Sequence, residues 1–182
     1  MFYAVLIPEE TKALNVIEYL IGEGVEAGLL DDMNQTPLYY SAREGKADVS
    51  SYLVRDGGCK INQVDSHGQT PLFYAAREGH SVVCRALVGL GADPDHVDAK
   101  GQTPLFYAVK AARFDSTEFL ISIGADVNHE DIKGESPLSL AKRSGKKAIL
   151  NLMMDGKCAN EDSLKKPKKK EDEANNTHSE KK

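Results

Sequence analysis

The chain has 182 residues, 41% of them hydrophobic and 7% aromatic, and a net charge of −5. This is length enough for one domain with a sizeable core, while no apolar run reaches the length of a membrane span and no segment follows the basic, apolar, small-residue order of a signal peptide. Cys59, Cys84 and Cys158 form no CxxC pair and cannot all be bridged, which fits a reducing cytoplasmic or nuclear setting.

Residues 1–30 read as a degenerate helical hairpin. Met1-Phe2-Tyr3-Ala4-Val5 aligns with Leu105-Phe106-Tyr107-Ala108-Val109 but lacks the preceding Thr-Pro, and Glu18-Tyr19-Leu20-Ile21 aligns with Glu118-Phe119-Leu120-Ile121. This unit is expected to fray, and it reads equally as a cap or as the edge of a longer array. One segment then recurs: NQTPLYYSAREG from Asn34, GQTPLFYAAREG from Gly68, GQTPLFYAVKAA from Gly101 and GESPLSLAKRSG from Gly134. The pairs Thr36-Pro37, Thr70-Pro71, Thr103-Pro104 and Ser136-Pro137 stand 34, 33 and 33 residues apart. Such a period marks a stacked array in which no unit buries its apolar face alone.

Within each unit, Thr or Ser before Pro predicts a helix start capped by the hydroxyl. Leu72 and Ala75 share one face of that helix, as do Leu105 and Ala108, and Gly45 and Gly79 predict a left-handed stop. A second helix follows, through Val82, Val83, Ala86 and Leu87 in the third unit and Phe119, Leu120 and Ile121 in the fourth. Gly91-Ala92-Asp93 and Gly124-Ala125-Asp126 close it. Gly68, Gly101 and Gly134 mark a polar turn, in which the second unit has Asn34, the residue after glycine that best tolerates positive φ. The extra residue of the 34-residue step falls in Asp56-Gly57-Gly58.

Lys142, Arg143, Lys146 and Lys147 are expected to keep the outer face of the last unit soluble. From Ala159 the composition turns polar, so 159–182 is expected to be a disordered tail, Lys-rich and then mixed in charge. Its run Lys165, Lys166, Pro167, Lys168, Lys169, Lys170 reads either as a nuclear-import signal or as a solubilising segment. Charge is uneven along the body: residues 1–50 carry −6 and residues 133–158 carry +4. These ends either steer a partner of mixed charge or merely solvate the caps.

The units resemble the ankyrin repeat family. The matching residues are the D-x-x-(G/N)-x-(T/S)-P-L-x-x-(A/S) blocks, Gly45-Lys46 and Gly79-His80, and the Gly-Ala-Asp-x-(N/D) endings at 91–95 and 124–128. The resemblance covers residues 1–158 and implies an all-α solenoid of stacked helical hairpins with β-turn loops. About five units follow from it, at 1–30, 31–64, 65–97, 98–130 and 131–158. Tyr39, Phe73, Phe106 and Ser139 replace the family's usual His after Leu, so turn rigidity must come from elsewhere. Tyr40, Tyr74 and Tyr107 follow as an aromatic ladder. It reads as packing between repeats with hydroxyls reaching the rim, or else as a stacking surface for a base or ligand.

The resemblance further implies a non-catalytic adaptor, scaffold or inhibitor that holds a partner protein in the concave groove of turn tips and first helices. By position, the tips are Asp32, Met33 and Gln35; Ser66, His67 and Gln69; Ala99, Lys100 and Gln102; Ile132, Lys133 and Glu135. The helix faces add Arg43 and Glu44, Arg77 and Glu78, Lys110 and Ala111, Arg143 and Ser144. Arg43, Arg77, Lys110 and Arg143 would form a basic row suited to an acidic or mixed-charge segment, with Met33 and Ile132 as apolar anchors. Alternatively, Arg77 pairs with glutamates of the array and serves only the stack.

Two other roles stay open: docking within a larger enzyme or chromatin assembly, and nucleic-acid association through the basic tail. The body itself carries −6 over residues 1–158, which disfavours nucleic acid there. The chain is expected to be a monomer. Asn128, in LISIGADVN from Leu120, is similar to the acceptor of asparaginyl hydroxylases, although such an Asn also serves turn hydrogen bonds. With no HExxH, no zinc-spaced Cys/His set and no phosphate loop, neither metal, cofactor nor catalysis is expected. His80 reads as structural, His96 and His129 as solvated turn residues, and Cys84 as an inert buried thiol.

Overall fold

The computed structural model describes residues 1–160, with side chains through residue 154. The tail from 161, including the lysine run 165–170, and the Cys158 side chain lie outside the described residues. Among the described residues there are ten helices and no strand: α1 (Phe2–Val5), α2 (Glu10–Gly22), α3 (Pro37–Arg43), α4 (Ala47–Arg55), α5 (Pro71–Glu78), α6 (Ser81–Gly89), α7 (Pro104–Lys110), α8 (Phe114–Ser122), α9 (Pro137–Arg143) and α10 (Lys147–Asn160). The odd-numbered helices pack side by side as one layer and the even-numbered helices as a second, joined pairwise within each hairpin. The result is the all-α solenoid that the sequence predicts.

Each first helix opens with proline at its first position and the preceding Thr or Ser in extended backbone. The cap itself is not uniform. Thr103 accepts from the Phe106 N–H at 3.4 Å, and Ser136 forms a reciprocal capping box with Ser139. Thr36 and Thr70 make no side-chain cap, because the Tyr39 and Phe73 amides bond instead to the Thr36 and Thr70 carbonyls at 3.0 Å.

Between the layers, Leu38, Leu72 and Leu105 from first helices meet Leu53, Leu87 and Leu120 from second helices, all fully buried. Val83 and Leu87 join this core as expected, whereas Val82 is 66% exposed on the opposite face of α6. The turn residue Asn34 takes φ 58°, and Gly45 and Gly79 end their helices at φ 77° and 89°. The fourth hairpin departs from this pattern: Ala112 takes the left-handed position at φ 58°. A Cβ there costs about 1–2 kcal/mol, partly offset by the chain entropy that glycine would add to the unfolded state. Ala112→Gly should therefore raise stability by about 0.5–1 kcal/mol, measured by urea denaturation.

The residue after each stop reaches back one hairpin and bonds the end of the previous first helix. Lys46 Nζ donates to the Val5 and Ile7 carbonyls, His80 Nε2 to Arg43 O at 2.9 Å, Arg113 Nε to Arg77 O at 3.0 Å, and Lys146 Nζ to Val109 O at 2.8 Å and Lys110 O at 2.6 Å. Donors satisfy carbonyls that a helix end leaves unpaired, and a cation there also complements the helix dipole. Gly45 has a second reason to be glycine, since a Cβ would stand 2.7 Å from the His80 ring. Lys146 is thus part of this linkage and not only a solubilising charge.

The first unit is more firmly held than its sequence suggests. Val5, Ala13 and Ile17 are fully buried, Lys46 clamps the end of α1, and Glu10 accepts the Asp48 N–H at 2.9 Å at the start of α4. Its outer side remains apolar, with Tyr3 88% and Tyr19 67% exposed.

Candidate functional site

The tips are built on an aspartate in each unit: Asp31, Asp65, Asp98 and Asp131. One carboxylate oxygen of each accepts two backbone N–H groups of its own turn. For Asp65 these come from His67 at 2.8 Å and Gln69 at 3.0 Å, and for Asp98 from Lys100 at 2.8 Å and Gln102 at 2.9 Å. The other oxygen faces the stack. Asp65 accepts Tyr74 Oη at 2.6 Å and Gln35 Nε2 of the preceding hairpin at 3.0 Å; Asp98 accepts Tyr107 Oη at 2.7 Å and Gln69 Nε2 at 3.0 Å. Asp131 receives Gln102 at 2.7 Å but no tyrosine, because Leu140 stands in that place.

This network supplies the turn rigidity that the missing histidines left open, and it corrects several expectations. Gln35, Gln69 and Gln102 are buried and their amides are committed to the next hairpin, so they are not offered to a partner. The hydroxyls of Tyr74 and Tyr107 lie on buried carboxylates and not at the rim. His96 and His129 are half-buried, and their Nε2 atoms donate to Gly68 O at 3.1 Å and Gly101 O at 3.0 Å, linking adjacent turns. A carbonyl only accepts, so in each case Nε2 carries the proton. Successive tips are joined as well, by Ser66 N to Met33 O, Ala99 N to His67 O and Ile132 N to Lys100 O at 3.0–3.1 Å.

The ladder rings also pack across hairpins. Tyr39 meets Tyr74 edge-on at 5.5 Å and Phe73 meets Tyr107 at 5.6 Å. Over the other side of the tyrosines lie the cations. Arg43 stands 4.6 Å from the centroid of Tyr40, Arg77 4.7 Å from Tyr74 and Lys110 5.8 Å from Tyr107. Three members of the expected row, Arg43, Arg77 and Lys110, thus share one arrangement, each resting on its own helix's tyrosine. Arg77 Nε also pairs with Glu78 at 3.0 Å, and Arg113 of the next hairpin approaches Glu78 at 3.8 Å. Arg143 is held by Glu135 instead of a ring.

Of the remaining groove residues, Met33, Glu44, His67, Lys100, Ile132 and Lys133 are exposed, Ile132 at 73%. Asn128 is also exposed, and its backbone N–H donates to Asp126 at 2.8 Å. A second row escaped the sequence reading. Leu30, Val64 and Val97 each precede a turn aspartate and are 49, 39 and 42% exposed. Their shared spacing was the available signal. Cys84 is fully buried, and burial pushes its thiol up to about 12, against nearby lowering contacts that include Ser116.

The aspartates give the tips a pH signature. Burial alone would raise the Asp65 and Asp98 carboxyls, but bonds from tyrosine, glutamine and backbone amides outweigh it and hold both below the ordinary 3.8. For Asp131 the Gln102 bond is the largest influence, and Asp31 is likewise lowered. Depressed carboxyls contribute stability that is complete above 3.8 and lost as pH falls through the folded values. Burial and the Asp65 bond push Tyr74 the other way, up to about 12, so its contribution fades as pH rises past 10. The thermal midpoint is expected to hold level from about pH 5 to 9 and to fall outside that window, a profile that scanning calorimetry would record.

A family model for ankyrin repeats (3 copies) matches residues 1–98 and 81–166. Comparison with curated proteins gives no match.

Proposed function

Since the chain belongs to the ankyrin repeat family, whose members generally mediate protein–protein interaction, we propose that it binds an acidic or mixed-charge segment of a partner protein in the groove of tips and first helices. The observation that carries this reading is the series Arg43, Arg77 and Lys110, each poised on a tyrosine ring. Ring contact lowers the rotamer freedom that a long cation must give up on binding, so less affinity is lost to ordering. The pairing of Arg77 with Glu78 uses Nε alone, which leaves the terminal guanidinium nitrogens for a partner's carboxylate. Lys100 and Lys133 at the tips extend the positive character toward the later hairpins. Nothing in this reading requires turnover; the groove offers recognition.

Arg77→Gln combined with Lys110→Gln removes two charges without placing a carboxylate beside Glu78. It is expected to weaken partner binding about tenfold, while exposed ion-pair and cation–π losses cost only about 1 kcal/mol of stability. Affinity capture from native extract with both chains, scored by mass spectrometry and paired with thermal melts, tests this. The same proteins recovered by both chains would refute the groove reading.

A further inference from the structure

We infer that the groove reads its ligand in a three-residue register: an extended, polyproline-II-like segment with an acidic side chain at one position of each triplet and an apolar side chain at a second. This rests on the groove reading above and gives it a ligand grammar.

Helices α3, α5 and α7 lie side by side, so their cations recur at one interhelical separation, about 8–10 Å. A polyproline-II chain has three residues per turn at about 3.1 Å each, so side chains on one face recur every ~9 Å. A β-strand repeats its face after about 6.6 Å, and neighbouring side chains on one face of a helix stand about 5–6 Å apart. Neither matches the cation spacing.

The apolar row has the same period. Leu30, Val64 and Val97 each precede the aspartate whose carboxylate bonds the tyrosine beneath the cation in the same hairpin. Cation and apolar residue thus flank one Asp–Tyr pair in each of three hairpins, and the two rows run in parallel. On a three-residue-per-turn chain, acidic and apolar positions form two adjacent longitudinal faces, which such parallel rows would receive together. Both rows stop at the next hairpin, where Glu130 replaces the apolar residue and Arg143 is neutralised by Glu135. The carboxylates of Asp65 and Asp98, each already accepting four donors, are turned to the stack and make no demand on the ligand.

The test measures, by fluorescence anisotropy on the full chain, a labelled peptide of repeated Glu-Val-Pro triplets against an isomer of equal composition whose glutamates are no longer three apart. The triplet peptide is expected to bind about tenfold more tightly, since one misplaced charge contact is worth roughly that factor. Val64→Asp with Val97→Asp, at exposed positions and with folding checked by circular dichroism, should weaken the triplet peptide about tenfold, and unchanged affinity would overturn the apolar face of the register. Equal binding of the two peptides, lost for both in the Arg77→Gln/Lys110→Gln chain, would overturn the register and leave the groove reading standing. Equal binding that survives those substitutions would overturn both. Absence of binding by either peptide would overturn the register, while the groove reading would still be judged by the extract capture.

Discussion

Replacing Asp65 by alanine is expected to cost about 3–5 kcal/mol of unfolding free energy, a very large effect for one side chain near the surface of an array. Four donors lose their acceptor at once: the His67 and Gln69 amides, the Tyr74 hydroxyl and the Gln35 side chain. Hydrogen bonds to a charged acceptor contribute about 1.5–3 kcal/mol each when broken singly, and they are not additive when they share one carboxylate. Three of the four groups belong to buried residues, so water replaces the missing acceptor poorly. Asp131→Ala serves as the internal control. It removes the Lys133 and Glu135 amide bonds and the Gln102 contact, but no tyrosine hydroxyl is stranded. Its cost should be visibly smaller in the same urea titration, and equal losses would contradict the role assigned to Tyr74.

Lys46→Ala should cost about 2–3 kcal/mol, concentrated in the first unit. The lysine is buried, and its ammonium is the group that satisfies the Val5 and Ile7 carbonyls at the end of α1. Without it those carbonyls face a gap where the stem had packed, and the four-residue α1 is left with its packing on α3, including the Phe2–Tyr40 ring contact, as its tie to the second hairpin. Opening there is local, so amide exchange in α1 and α2 should accelerate about thirtyfold or more while α5 to α8 keep their protection. Uniform acceleration along the chain would mean that the first unit and the body unfold as one.

The architecture was legible because it is written in local signals at a fixed interval. Thr-Pro pairs, Gly45, Gly79 and Asn34 each specify a backbone conformation where they stand, and all took it. What remained hidden was contact across the interval. Gln35 looks like a free tip residue in sequence, yet its partner Asp65 lies 30 positions away and Tyr74 39 positions away. The clue was in the register, since Gln, Asp and Tyr recur together and Leu140 takes the tyrosine's place in the fifth hairpin. The residues after the helix stops were hidden by their chemistry: Lys46, His80, Arg113 and Lys146 share only the ability to donate, which a reading by residue type does not equate. Leu30, Val64 and Val97 were missed because single exposed apolar residues are ordinary, and only the alignment of three gives them meaning.

The glutamine-to-aspartate bond always points from one hairpin to the following one, and the second and third junctions use the same atoms. A chain lacking residues 65–97 would bring Gln35 against Asp98 and Tyr107, donor for donor. The middle of this molecule is therefore a linear chain of interchangeable links, open to gain or loss of whole units by unequal recombination, and the groove would lengthen or shorten in steps of one binding triplet. The junction at Leu140 departs from that exchange symmetry, because Asp131 keeps its glutamine there but has no tyrosine to share it with.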